Sequence, residues 1–125
     1  MTRSLTLVAM LAAVGLGGCF AEPTPRAPVR PMRVVSLDYC ADQYVLKLLP
    51  RARILAVSPD AGAPFSYMRA ASAGVPRVRA RAEDVLLLRP DLVVRSYGGG
   101  AEAERLLADA GVPVLQLGYA GDLGG

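Results

Sequence analysis

Apolar residues in this chain come in short, nearly continuous runs: Val34-Val35-Ser36-Leu37, Ile54-Leu55-Ala56-Val57, Leu92-Val93-Val94 and Val114-Leu115-Gln116-Leu117. A strand with one wet face alternates strictly, whereas unbroken β-branched runs belong to strands covered on both faces, as in parallel sheets. Helical spacing fills the intervals. Asp38 precedes residues 39–49, where Tyr39, Val45, Leu46, Leu48 and Leu49 share a predicted face until Pro50 stops the helix. Residues 82–88 open with Glu83 and Asp84, acids that suit a helix N-terminus, and end at Arg89-Pro90. Residues 101–110 predict another helix, with Gly111 as its C-cap. Residues 58–64 are too rich in breakers to continue a strand, residues 65–73 predict a short helix, and residues 77–79 predict a brief edge strand.

The alternation of strand and helix predicts an α/β lobe: a Rossmann-like parallel sheet with helices on both faces and right-handed crossovers. Ligands of such sheets sit beyond the carboxyl ends of the strands. Three loops leave those ends, at Asp38-Tyr39, at residues 58–67 and at Ser96-Tyr97-Gly98-Gly99-Gly100, and they are expected to converge.

The N-terminal part has a different character. Arg3 precedes an apolar run from Leu5 to Leu16, closed by Gly17-Gly18-Cys19-Phe20-Ala21, which reads as an export leader over residues 1–21. A helix of twelve residues rises only about 18 Å, short of a hydrocarbon core roughly 30 Å thick, so the run is not a membrane span. Leu16-Gly17-Gly18-Cys19 resembles a bacterial lipoprotein box and makes Cys19 the candidate lipid anchor, while the small residues around Ala21 offer ordinary cleavage as the other route. Residues 22–32 form a proline-rich linker, and Cys40 is then the remaining thiol, expected as a small buried hydrophobe.

Composition narrows the chemistry. The 125 residues contain no histidine, which removes the commonest general base, the commonest metal ligand and every Ser-His-Asp or Cys-His arrangement. The net charge of +3 is scattered along the chain, so nucleic acid is not a favoured partner.

Four blocks, Arg33-Val-Val-Ser-Leu-Asp-Tyr-Cys-Ala-Asp-Gln-Tyr, Ala82-Glu-Asp-Val-Leu-Leu-Leu-Arg-Pro-Asp-Leu-Val-Val, Ser96-Tyr-Gly-Gly-Gly and Ala110-Gly-Val-Pro-Val, together resemble the periplasmic cobalamin and iron-siderophore binding proteins of ABC importers. The glutamate-led helix running into Arg-Pro-Asp-Leu-Val-Val is the most specific of them. The resemblance implies a two-lobed exported receptor that captures a cobalamin or ferric-chelate small molecule and delivers it to an ABC permease, with no enzymatic step and no cofactor. Residues 33–119 would be its N-terminal lobe, and residues 120–125 read as a truncated tail, since the linking helix and second lobe are missing. A vestigial fragment without binding activity and a nucleotide-binding enzyme domain are the alternatives.

The expected ligand-facing residues are Asp38, Tyr39, Ser58, Tyr67, Ser96, Tyr97 and Gly98, with Tyr97 the first candidate because its ring is apolar and its tip polar. Asp38 is also a natural N-cap. Gly98-Gly99-Gly100 lacks the Lys-Ser/Thr of a phosphate loop and reads as a turn. The resemblance gives Glu83 a role in docking to the permease, beside its ordinary role at a helix N-terminus. Arg77, Arg79 and Arg81 read as a solvated strip.

Overall fold

The structure, a computed structural model, describes residues 32–118. The expected leader, Cys19, most of the linker and the tail lie outside the described residues. Four strands, β1 (Val34–Ser36), β2 (Ile54–Ala56), β3 (Leu92–Arg95) and β4 (Val114–Gln116), form one sheet in the order β2-β1-β3-β4. All three pairings are parallel, with Val35 beside Val93 and Val94 beside Leu115. Three helices connect the strands: α1 (Tyr39–Leu48), α2 (Ala82–Leu86) and α3 (Gly100–Asp109). The α/β expectation therefore holds.

Successive strand residues point to opposite faces, and this divides the core in two. Val34 and Val94 pack with Ala41, Val45 and Leu46 of α1, while Val35 and Val93 pack with Val85 of α2 and Ala103 and Leu107 of α3. Both layers are built from buried apolar side chains. Burial of Leu107, at 0% exposure, contributes roughly 1.5–3 kcal/mol. Arg95, 5% exposed at the end of β3, ties the sheet to α3 through Glu104 at 2.7 Å.

Local chemistry sets the helix ends. Asp38 caps α1 by accepting the Ala41 N–H, and Leu49 leaves helical geometry before Pro50. The acids Glu83 and Asp84 stand in the first turn of α2.

Several expectations need correction. Residues 65–73 form consecutive turns rather than a helix: their backbone bonds are almost all three residues apart, as from Arg69 N–H to Ser66 O at 3.3 Å. Phe65 and Tyr67 are exposed, so no apolar face rewards a helix too short to sustain itself. Side chains hold the loop instead. Gln43 takes the Met68 N–H at 2.9 Å, Arg77 bonds the Ser72 hydroxyl at 2.9 Å, and Arg51 bonds Gly74 O at 3.0 Å. Arg77 is therefore part of the scaffold and not simply solvated. The edge strand at 77–79 reduces to one parallel bridge, Val57 with Arg77. Residues 59–62 form a 3-10 turn in the loop after β2. Leu48, placed on the buried face by its spacing, is 72% exposed.

Candidate functional site

The carboxyl ends of β1, β3 and β4 open on a common side. There α1 presents Cys40 and Tyr44, the β3–α3 turn presents Ser96 and Tyr97, and the end of β4 presents Gln116, Leu117 and Gly118. Together they line a cleft of about 480 Å³. A neighbouring hollow of about 460 Å³, bordered by Lys47, Leu48, Tyr67 and Met68, shares Tyr44 with it. Tyr44 is thus the ridge between two hollows. Tyr44, Phe65, Tyr67 and Tyr97 are all exposed large side chains, an aromatic rim that a folded lobe does not need for its own core. Tyr39 stays half-buried and meets Phe65 edge-on, ring centres 5.2 Å apart.

Asp38 has a larger role than capping. Its Oδ1 accepts the Ala41 N–H at 2.9 Å, and its Oδ2 accepts the N–H groups of Ser96 at 2.6 Å, Tyr97 at 3.0 Å and Gly98 at 2.9 Å. Burial alone would raise the pKa of this carboxyl, yet these four backbone donors outweigh it and hold the pKa below the ordinary aspartate value. A carboxylate so engaged and 3% exposed is not available to a ligand. Ser58 is also withdrawn: it is 2% exposed and its hydroxyl donates to Asp42 Oδ2 at 2.5 Å. The glycine turn offers no anion cradle, since the Gly98 N–H goes to Asp38 and the Gly100 N–H to Tyr97 O.

Of the seven expected ligand-facing residues, the structure brings Ser96 and Tyr97 into the cleft and Tyr67 into the adjoining hollow. Asp38 and Gly98 are buried behind them as support, Tyr39 flanks Phe65, and Ser58 caps the 59–62 turn in the loop after β2. Cys40, Tyr44 and Gln116 were missed. Cys40 is half-buried in the cleft wall, not in the core, and Tyr44 lies four residues on, hence on the same helix face. Gln116 had a signal, as a lone polar residue in an apolar strand; its amide donates to Ser96 O and Leu117 O, joining the ends of β3 and β4. Glu83 is exposed at the start of α2, 3.8 Å from Arg81, and borders a separate hollow of about 230 Å³ with Glu102.

Electrostatically the site is a pair of buried carboxylates one helical turn apart. Asp42 is 0% exposed, and burial pushes its pKa up; hydrogen bonds from the Ser58 hydroxyl and N–H offset this in part, and the Asp38 charge adds to it. A carboxyl whose folded pKa is raised weakens the fold as pH climbs from the ordinary aspartate range through the raised value. Asp42→Asn is therefore expected to melt higher than the unaltered chain at pH 7, with the gap closing below about pH 4, where the unaltered side chain is protonated in both states. Thermal melts from pH 3 to 7.5 check this. A variant less stable at pH 7 would mean that the serine hydrogen bonds outweigh the burial cost.

Partial burial, and then the Asp38 charge, push the Tyr97 phenol up, so it is a neutral hydrogen-bonding group at physiological pH. Among the described residues no cluster of three His, Cys, Asp or Glu side chains is placed to hold a metal ion. Nor is any described helix long and apolar enough to cross a membrane.

No family model matches the chain, and no curated protein matches it in sequence. Solved structures match it in fold. A periplasmic heme binding protein from Pseudomonas aeruginosa is 28% identical with a TM-score of 0.57, over 76% of this chain and 34% of that one. The periplasmic heme binding protein HutB of Vibrio cholerae is 26% identical, TM-score 0.55, over 70% of this chain and 34% of its own. The periplasmic heme-binding protein RhuT from Roseiflexus sp. RS-1 is 25% identical, TM-score 0.52, over 71% and 34%. This chain spans about a third of the length of each, and its four-stranded parallel α/β lobe is similar to that third of three periplasmic heme-binding proteins.

Proposed function

We propose that the chain forms a ligand-binding lobe of a periplasmic substrate-binding protein serving an ABC importer, and that its ligand is an iron porphyrin or a similarly large iron chelate. The carrying observation is the exposed aromatic rim, Tyr44, Tyr67 and Tyr97, standing at the carboxyl ends of a parallel sheet whose fold likenesses are heme-binding proteins. A flat macrocycle needs broad apolar contact and few polar points, which tyrosines supply together. The work is capture and release, with no covalent change to the ligand. The family resemblance of the four sequence blocks widens the ligand class to cobalamin and ferric siderophores, and the heme likenesses favour the porphyrin within it.

The chain has no histidine, so any ligand it gives to ferric iron comes from another side chain. Phenolate is a hard donor that suits ferric iron. Tyr67, 86% exposed, is free to turn toward a ligand, while the Tyr97 phenol is held protonated and serves as a wall. Glu83, on the exposed start of α2, is the proposed contact to the permease. Export to the periplasm follows from the leader-like N-terminus, with Cys19 as the proposed acyl anchor.

The test is titration of the chain with hemin, followed at the Soret band, alongside cyanocobalamin and a ferric hydroxamate followed by tyrosine fluorescence. Saturable binding of hemin is expected, with loss of the ferric phenolate charge-transfer band in Tyr67→Phe and its retention in Tyr97→Phe. Saturation by cobalamin or the ferric hydroxamate alone would move the ligand class, and no response to any of the three would remove the binding role.

A further inference from the structure

We propose that Asp38 is a positioning residue for the ligand wall: by gripping the backbone of Ser96, Tyr97 and Gly98, its carboxylate sets the orientation in which Tyr97 faces the cleft. This rests on the binding function proposed above. An N-cap needs only one acceptor, and Oδ1 supplies it to the Ala41 N–H. Three successive N–H groups, 58 to 60 residues further along the chain, converge on Oδ2 at 2.6 to 3.0 Å. Consecutive amides aimed at one point make a concave anion nest, and here the anion is part of the protein.

All three donors to the tether are backbone N–H groups. Asp38 makes no ion pair among the described residues, so its hold on the turn depends on a charged acceptor facing neutral donors, the stronger class of hydrogen bond. At 3% exposure water does not compete for it. Ser96 and Tyr97, two of the three tethered residues, are also two of the residues lining the cleft. The third, Gly98, lies against the Leu37 backbone, one residue before Asp38, so the turn is fixed from two sides. Without the carboxylate, Tyr97 would hang from a turn held mainly by Gln116 and by packing.

Asp38→Asn separates the two roles of the side chain. Asparagine caps a helix as well as aspartate, but it turns an NH₂ donor toward three N–H donors. The expected result is amide exchange at Ser96, Tyr97 and Gly98 faster by about a hundredfold with protection along α1 retained. Shifted Tyr97 ring resonances and hemin binding weaker by about tenfold or more should accompany it. Should the asparagine variant not fold, Asp38→Ser caps the helix with a hydroxyl too short to span the nest, and the same results are expected. Native protection at Ser96 to Gly98 in a folded variant would overturn the proposal. So would faster exchange with unchanged Tyr97 resonances and unchanged hemin affinity, because the tether would then hold the turn without orienting the ring. If the unaltered chain does not bind hemin, the function falls separately, and the exchange and ring resonances still decide the tether.

Discussion

Gly98→Ala is expected to destabilise the lobe by about 3 kcal/mol or more and to lower its melting temperature by roughly 12–24 °C. A Cβ built on Gly98 would stand 2.5 Å from the Leu37 carbonyl oxygen, 2.8 Å from the Leu37 carbonyl carbon and 2.9 Å from its Cβ. Two of those three atoms are backbone, so no side-chain rotation relieves the clash. Nor can Leu37 retreat: it is 2% exposed, and its N–H bonds Val94 O at 3.1 Å, which locks it to β3. A domain of this size has only about 4–13 kcal/mol in total, so the loss would be a large fraction of its stability. Gly100→Ala is the control. Gly100 has φ +62 with nothing within 4 Å of its would-be Cβ, so the substitution meets only left-handed backbone strain of about 1–2 kcal/mol. Urea and thermal melts of both variants decide the matter, and a Gly98→Ala protein melting at or above Gly100→Ala would show that the turn can lift off Leu37.

The strands were legible because Val34-Val35, Leu92-Val93-Val94 and their neighbours are buried on both faces, and such runs have one common explanation in an α/β chain. Asp38 was legible as a cap because capping is local, three residues from donor to acceptor. Its grip on Ser96 to Gly98 was not, since that depends on β1 and β3 being sheet neighbours, a fact the strand order supplies and local spacing does not. The same gap explains Cys40 and Tyr44. They became cleft residues only when β4 was placed beside β3, bringing Gln116 opposite the first turns of α1. Leu48 and the 65–73 segment failed for the opposite reason: apolar content implied burial, but Leu48, Phe65 and Tyr67 all stay mostly exposed. Exposed rings beside a cleft carry the same apolar signal as a core, and periodicity has no means of telling the two apart.

Glu83→Arg is expected to abolish heme-dependent growth of cells that rely on this protein for uptake, while hemin affinity of the purified protein stays unchanged. Two roles compete for Glu83, and they differ in what a charge reversal does. As a helix-terminus acid in a five-residue helix it contributes a surface interaction that salt screens, and its 3.8 Å contact with Arg81 is between two side chains that are each more than 60% exposed. Reversing it on that account changes stability slightly and uptake not at all. As a docking group it offers a negative charge at the edge of a hollow that Glu102 also borders, and it would meet a cation on the permease. Reversal then puts like charges face to face, which costs encounter rate and register together. The hollow beside Glu83 and the cleft share no lining residue, although the β3–α3 turn borders the first through Gly99 and the second through Ser96 and Tyr97, so the two proposed roles can fail separately. Glu83→Gln grades the effect: it removes attraction without adding repulsion, and uptake between that of the unaltered protein and the arginine variant is expected. Normal uptake by Glu83→Arg would leave the residue with its helix alone and remove the proposed docking role.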